Sequence, residues 1–295
     1  MAVLAVPCPA IAEPETPAKA DPKADPKTGG EEPSEQRIKF GADPVGDGAL
    51  LLGALGFASL SEAFLSTGEL RPQQIDATFD TKNLLPLDHA AVQQTVDPKA
   101  DPRSTAGVYI AFGFAAVDSV LSGFRYGREA AIVDAIMYSE AVVISWGLTN
   151  MVKVAFRRPR PIAYIEREHA IEAGQDPATY NNTSTDSALS FYSGHTAFTA
   201  TISASATYLA FARSPHTARP WITLAGGVVL TTFVGVERVR SGAHFPTDVI
   251  AGALAGAGIG MLVVHLHRQE ATRPPVWVGA MPLEGGGGLT LGGLF

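Results

Sequence analysis

The stretch Glu237-Arg238-Val239-Arg240-Ser241-Gly242-Ala243-His244-Phe245-Pro246-Thr247-Asp248 joins two apolar runs, so its polar side chains lie where one buried helix ends and another begins. Asp248 follows His244 by four residues, a spacing that puts both side chains on one face if a helix starts there. A carboxylate that accepts from one imidazole nitrogen leaves the other nitrogen free as a base, nucleophile or ligand. Arg238 and Arg240 add fixed positive charge for an anionic substrate. Taken alone, these residues are more typical of a loop histidine followed by a capping aspartate.

Six apolar segments dominate the rest of the chain, and each is about as long as a helix that crosses a bilayer. They are residues 47–66, 105–124, 129–152, 195–212, 220–236 and 248–266. Only 17% of all residues are charged, and glycine and alanine are frequent in the segments, as in closely packed membrane helices. The sequence therefore predicts an all-α helical bundle of six apolar, membrane-spanning helices. A compact bundle buried in protein is the alternative, and segment 47–66 is the weakest candidate for crossing.

Four carboxylates interrupt the first three segments: Glu62, Asp118, Asp134 and Glu140. A carboxylate at the centre of a membrane costs on the order of 2.5–3.5 kcal/mol on insertion scales. We therefore expect these four side chains to face the bundle interior and to be paired there.

The charges of the connections predict the topology. The short connections 125–128 and 213–219 are basic, and a basic stretch follows the last segment, so these belong on the cytoplasmic side. The remaining connections then share the outer, periplasmic face of a bacterial inner membrane: 67–104, 153–194 and 237–247. Six crossings also require a cytoplasmic N-terminus, which conflicts with a cleaved signal unless the first segment does not span.

Composition divides the chain into four parts. Residues 1–12 are apolar and end in small residues like a secretory signal, and residues 13–40 are a predicted disordered linker rich in proline, alanine, lysine and glutamate. Residues 41–268 form the predicted helical domain. The glycine-rich tail 269–295 is either a strand pair or disordered.

The net charge of −7 and the single cysteine exclude other classes of protein. No basic block is typical of nucleic-acid binding, so we expect no nucleic-acid partner. Cys8 alone forms neither an internal disulfide nor a cysteine-rich zinc site. The sequence does not indicate an oligomeric state.

Two further polar stretches fall on the predicted outer face. Lys153-Val154-Ala155-Phe156-Arg157-Arg158-Pro159-Arg160-Pro161 follows the third segment, and its prolines end the helix and hold an array of cations. Ser190-Phe191-Tyr192-Ser193-Gly194-His195-Thr196 opens the fourth, where a capped helix N-terminus attracts an anion and His195 is a candidate acid or base. Cations, a helix N-terminus and two histidines suit phosphoryl transfer. No Mg²⁺ ligand cluster accompanies them, so we expect neither a metal nor another cofactor.

These three stretches resemble the motifs of the type 2 phosphatidic-acid phosphatase superfamily, which includes bacterial acid phosphatases and vanadium haloperoxidases. Its motifs are Lys-x6-Arg-Pro, Pro-Ser-Gly-His and Ser-Arg-x5-His-x3-Asp. The matching residues are Lys153, Arg160, Pro161, Ser193, Gly194, His195, Arg238, His244 and Asp248. The resemblance covers 129–266, with the motifs in the same order and with the same internal spacing.

The resemblance implies a metal-independent phosphatase that acts through a phosphohistidine on a lipid phosphate or diphosphate. It implies that His244 is the nucleophile, that Asp248 orients it and that His195 protonates the leaving oxygen. The residues implied to hold the phosphate are Lys153, Arg160, Ser193, Gly194 and Arg238. Five other histidines match no motif and are predicted on the surface: His89, His169, His216, His265 and His267.

Two positions depart from the family pattern. Tyr192 replaces the proline of the second motif, which should change loop stiffness more than chemistry. Glu237 replaces the serine of the third, and it would either repel phosphate or turn away to pair with Arg157, Arg158 or Arg240. The alternatives are a periplasmic acid phosphatase that acts on soluble phosphomonoesters, a vanadium haloperoxidase, and a bundle inactivated by Glu237.

Overall fold

The computed structural model describes residues 38–182, 184–269, 277–283 and 286–292, the last two ranges through their backbone. The predicted signal-like segment 1–12 and nearly all of the predicted linker 13–40 lie outside these residues. The end of that linker range is folded, because strand β1 (Lys39–Phe40) pairs antiparallel with β2 (Arg268–Gln269).

Eight α-helices make up most of the described chain, which confirms the predicted all-α bundle. The six long helices are α1 (Gly46–Ser66), α3 (Ala100–Tyr126), α4 (Arg128–Phe156), α6 (Gly194–Arg213), α7 (Arg219–Arg240) and α8 (Pro246–Leu266). The short helices α2 (His89–Gln93) and α5 (Pro161–Glu172) lie in the connections. In the tail, β3 (Trp277–Leu283) and β4 (Gly286–Gly292) pair antiparallel.

Local chemistry explains where several helices begin and end. Gly127 has a φ of +96° and forms the whole connection between α3 and α4, a conformation that glycine adopts without steric cost. Pro161 and Pro246 occupy the first helical positions of α5 and α8, where the missing N–H has no helical partner to lose. The Ser193 side chain caps α6 by accepting from the Thr196 N–H.

Three connections lie together at one end of the bundle, here called the motif end. They are 67–99, 157–193 and 241–245. Backbone hydrogen bonds join them, from Asp97 N–H to the Arg240 carbonyl and from Ile162 N–H to the Gly242 carbonyl, each 3.0 Å long. Sheet β1–β2 and the short α3–α4 and α6–α7 connections lie at the opposite end. The structure thus has the alternating arrangement that six crossings require.

The protein is a membrane protein by the length and composition of its helices. Five stretches of the described residues qualify as spans, and they contain every long helix except α6. The first segment, expected to be the weakest, is among them. The exception is α6, which is rich in serine and threonine and is buried against α3, α4, α7 and α8. It therefore needs no apolar outer face.

Three of the four acidic residues within the spans accept hydrogen bonds from other helices, as expected, whereas Glu140 lies 3.2 Å from His267 Nε2 without a hydrogen bond. Asp134 accepts two hydrogen bonds from Arg213, both 2.5 Å, and Asp118 accepts from Arg219 at 2.9 Å. Both arginines flank the α6–α7 connection, so the basic residues that predicted its cytoplasmic side also neutralise buried carboxylates. Glu62 accepts hydrogen bonds from two side chains of α4.

Close contact between α6 and α8 depends on glycine. Three glycines spaced four residues apart on α8 face the backbone of α6: Gly252, Gly256 and Gly260. A Cβ atom at any of them would lie within 3.0 Å of a main-chain carbonyl oxygen of α6 or its cap. Small residues at this spacing let the backbones of membrane helices approach closely. Any larger side chain would separate the two helices.

We predict that Gly256→Val greatly reduces the yield of monodisperse protein in detergent, because the valine collides with the Ala197 carbonyl oxygen. Gly258→Val is the matched control, since a Cβ there meets nothing within 4 Å. Size-exclusion profiles and thermal melting of both variants make the comparison. Equal melting temperatures would show that the contact does not hold α8 in place.

Candidate active site

All eight predicted site residues lie at the motif end. Lys153 is in the last turn of α4, and Arg160 is the N-cap of α5. Ser193, Gly194 and His195 form the start of α6. The remaining three come from the end of α7, the connection to α8 and the first turn of α8: Arg238, His244 and Asp248. Three distant stretches of sequence thus form one site.

His244 is held in one tautomer. Its side chain is buried, and Nδ1 lies 2.6 Å from the main-chain carbonyl oxygen of Ser190. A carbonyl oxygen only accepts, so Nδ1 carries the proton. The other ring nitrogen, Nε2, therefore keeps its lone pair and is free to attack an electrophile or accept a proton.

The surroundings of His244 also favour its neutral form. Burial is the main cause that lowers its pKa well below the usual value, and the positive charges of Arg238, Arg160 and Lys153 lower it further. The same three cations that were predicted to hold phosphate therefore act on this imidazole. A neutral ring amid cations is suited to attack on an anion.

Asp248 is not the hydrogen-bond partner of His244 Nδ1, from which its nearest oxygen is 4.0 Å away. Its Oδ2 instead accepts from Ser190 Oγ at 2.5 Å and from the Phe245 N–H at 2.8 Å. It therefore connects the two segments that hold the imidazole, and its charge remains close to the ring. The sequence motif pairs His244 with Asp248, whereas in the structure the contact to Nδ1 comes from Ser190.

Arg158 is a second residue that the motifs missed. Its guanidinium donates to Asp248 Oδ1 at 2.6 Å and to Asp88 Oδ2 at 2.8 Å, and it lies 4.0 Å from the centre of the Phe245 ring. Asp88 is fully buried and also accepts from Thr247. The network anchors the first turn of α8 to the connection between α1 and α3. Its position within the basic stretch after α4 was the only signal in the sequence.

His195 is the second residue of α6, and its Nε2 lies 3.2 Å from Thr105 Oγ1 on α3. The ring is only partly buried, so it can meet a substrate. The amides of Gly194 and His195 are in the first turn and have no acceptor within the helix. Ser193 is different from what the motif implied, because its buried hydroxyl is engaged with Thr196 as a cap. Its hydroxyl must rotate before it can contact a phosphate.

Two of the three predicted phosphate-binding cations are paired with exposed carboxylates. Arg238 donates to Asp101, and Arg160 donates to Asp186 at 2.6 Å. The Nε atoms of both arginines are buried and have no hydrogen-bond partner among the described residues. Lys153 forms no hydrogen bond or ion pair with any described residue. The site therefore holds positive charge that is only partly balanced, as an anion site requires.

Glu237 points away from these cations. Its buried carboxylate accepts from Arg103 Nε at 2.6 Å and from Arg240 Nη1 at 3.2 Å, and both arginines also pair with Asp97. Of the three arginines predicted as partners of Glu237, only Arg240 pairs with it. The second partner, Arg103 on α3, was not predicted. This four-residue network joins the end of α7 to the start of α3. The other departure, Tyr192, is buried, with its ring packed edge-on against Phe191.

An apolar groove of the described structure lies apart from this site. It has a volume of about 820 Å³ and runs along α6 between α7 and α8. None of the eight predicted site residues lines it. The polar groups that could act on a phosphate therefore converge outside this groove.

A family model and a solved structure match parts of this chain. Residues 134–271 match the family model of the PAP2 superfamily, and this range contains all eight predicted site residues. A solved structure, the first transmembrane PAP2-type phosphatidylglycerolphosphate phosphatase from Bacillus subtilis, shares 19% identity. The similarity covers 75% of this chain and 94% of that chain, with a TM-score of 0.43. No protein of curated function matches the sequence.

We predict that Glu237→Ser lowers the free energy of unfolding by about 1–3 kcal/mol, between the values for surface and buried ion pairs, because Arg103 is partly exposed. Thermal melting in detergent measures the change, and phosphate affinity should stay the same. Glu172→Ser, which removes an exposed carboxylate at the end of α5 that pairs with no described residue, is the control and should melt like the native protein. A gain in phosphate affinity specific to Glu237→Ser would mean that Glu237 does repel the anion.

We also predict that His244 stays neutral when the pH falls below about 6.5, the ordinary histidine pKa. A lowered pKa means that the proton binds only at more acidic pH. Side-chain ¹⁵N spectra of labelled protein, assigned with His244→Gln, should show an unprotonated Nε2 at pH 6. The same histidine signal in the denatured chain provides the reference titration of an ordinary imidazole. A His244 signal that titrates with it would contradict the environment described here.

Proposed function

We propose that the chain is a phosphoric ester hydrolase of the PAP2 superfamily, whose family model matches residues 134–271, and that it removes phosphate from a lipid phosphomonoester or diphosphate through a phosphohistidine formed on His244. The observation that carries the proposal is the buried, neutral His244 with a free Nε2, set among Lys153, Arg160 and Arg238. Such an arrangement suits attack by nitrogen on a phosphorus atom whose oxygens are held by cations.

In the proposed first step, the lone pair of His244 Nε2 attacks phosphorus and the bond to the leaving oxygen breaks. The ring then carries a positive charge, with Nδ1–H still donating to the Ser190 carbonyl. The Asp248 carboxylate, 4.0 Å from Nδ1, stabilises that charge without accepting the proton. Asp248 therefore acts both on the charge of the ring and, through Ser190, on its position.

In the same proposal, Lys153, Arg160, Arg238 and the first amides of α6 hold the three remaining phosphate oxygens. An arriving phosphate would take over hydrogen bonds that the two arginines now make to exposed carboxylates. The Nε of each guanidinium group has no partner among the described residues and can contribute a further hydrogen bond. This exchange of one anion for another keeps the cations compensated in both states.

His195 is the proposed acid for the leaving oxygen, and afterwards it takes a proton from the water that releases phosphate. Its position at the open start of α6 supports this role, because the leaving group must depart towards solvent or lipid. Since Lys153, Arg160 and Arg238 supply the positive charge, we propose that turnover needs no metal ion. Phosphate transfer requires stabilisation of the negative charge on the phosphate oxygens, and fixed cationic side chains can provide it in place of a metal ion.

A lipid substrate is supported by where the site lies. The residues proposed to contact phosphate stand at the ends of apolar helices, the depth at which lipid head groups meet water. A lipid can bring its phosphate to that level while its hydrocarbon part stays between or beside the helices. We further propose that the motif end faces outward, in the periplasm of a bacterium, as the basic opposite connections predict.

The deciding experiment measures phosphate release by the full chain in mixed micelles from phosphatidate, a polyprenyl diphosphate and a soluble aryl phosphate. We expect kcat/KM for at least one lipid to exceed that for the aryl phosphate by more than tenfold. EDTA should leave the rate unchanged, and orthovanadate should inhibit as an analogue of the transition state. His244→Ala should reduce turnover by at least a thousandfold, because the nucleophile is lost.

His169→Ala is the matched control, since it removes an exposed imidazole of α5 and should retain full activity. Equal or better use of the aryl phosphate would replace the lipid substrate with soluble phosphomonoesters. Strong inhibition of initial rates by EDTA would overturn the metal-independent mechanism. Full activity of His244→Ala would overturn the assignment of the nucleophile.

A further inference from the structure

A second group of titratable side chains lies far from the proposed active site. It consists of Asp47 in the first turn of α1, Glu140 in the middle of α4 and His267, the C-cap of α8. One ligand atom from each falls within 4.8 Å of the others. Because α8 has 21 residues, its length of about 30 Å separates this group from His244. The two sites are therefore independent.

The tautomer of His267 makes this group unusual. Its Nδ1 lies 2.9 Å from the Val263 carbonyl oxygen, which can only accept, so Nδ1 carries a proton. Nε2 then points at two carboxylates, 3.2 Å from Glu140 Oε2 and 3.6 Å from Asp47 Oδ2. A neutral imidazole would direct a lone pair at two anions. A cation must lie between them.

The group is also short of hydrogen-bond donors. Glu140 is 1% exposed, and its Oε1 has no hydrogen-bond partner among the described residues. His267 Nε2 is buried and unpartnered as well. Asp47 Oδ2 accepts only the Asp43 N–H, at 2.6 Å. A buried carboxylate without donors is costly unless a positive ion compensates it.

From these contacts we propose that Asp47, Glu140 and His267 bind one divalent transition-metal ion of the zinc type. Two ligand atoms that bind zinc at about 2.0–2.2 Å in tetrahedral geometry lie about 3.3 Å apart. The distances of 3.2 and 3.6 Å from Nε2 to the two carboxylates agree with that value. A carbonyl that receives the other ring proton is the usual outer partner of a metal-binding histidine.

The ion would join three elements that are distant in sequence. The start of α1, the middle of α4 and the end of α8 each contribute one ligand. In the sequence, strand β1 precedes α1 and strand β2 follows α8. The site would therefore stabilise the end of the bundle opposite the phosphatase site. His267 was predicted on the surface, and its side chain is only 10% exposed because it turns inward towards Glu140.

The test uses the full chain, purified in detergent without a histidine tag, stripped with EDTA and titrated with Zn²⁺. We expect one zinc per chain by mass spectrometry of bound metal, and a rise in melting temperature on binding. Glu140→Gln and His267→Gln should each weaken zinc binding more than tenfold and abolish the rise. His169→Gln, which removes an exposed imidazole elsewhere, should keep both.

Asp47→Asn is a third variant, for use if Glu140→Gln or His267→Gln fails to fold. Asp47 is the most exposed of the three residues, so this change should disturb the fold least. It too should lose zinc while remaining monodisperse. Absence of zinc binding by the native chain, or equal binding by the native and variant chains, would overturn the proposal. A His267 ring that is doubly protonated at pH 8 with zinc present would identify a proton as the cation instead. Phosphate release does not enter this test, so its outcome is separate from that of the proposed function.

Discussion

The contact between the backbones of α6 and α8 sets the geometry of the candidate active site. Gly252 brings the first part of α8 against the carbonyl of Ser193, and the Ser193 N–H donates to the Asp248 carbonyl at 3.1 Å. The two histidines stand on either side of this contact, one at the start of α6 and one just before α8. Their separation therefore depends on the absence of side chains along one stripe of α8.

Charge compensation is the second constraint at the motif end. A buried imidazole next to three cations would be unstable if every cation were unpaired. Exposed carboxylates balance two of them, and the balance is incomplete at Lys153. The carboxylates of Asp101 and Asp186, which provide this balance, reach solvent. The pairing is structural for Glu237, which is buried between two arginines.

The same principle organises the interior of the bundle. The carboxylates of Glu62, Asp118 and Asp134 would be costly in lipid, and each accepts a hydrogen bond from another helix. The central helix α6 needs no apolar outer surface because four helices surround it. Three of its threonine hydroxyls donate to carbonyls of the preceding turn, as Thr201 does to Ala197. The helix that carries His195 is consequently the one long helix of the described structure that is not apolar enough to qualify as a span, although its segment was predicted from the sequence.

The sequence by itself determined the six long helices, the clustering of three motifs at one end and the need for partners of the buried acids. These follow from local periodicity, chain breaks and the cost of burying charge, which need no knowledge of distant neighbours. The tertiary structure alone decided which partners are used. Ser190 orients His244 from 54 residues away, and Arg103 pairs with Glu237 across 134 residues. It also turned His267 towards Glu140 and Asp47, because only the packing of α1, α4 and α8 brings those three side chains together.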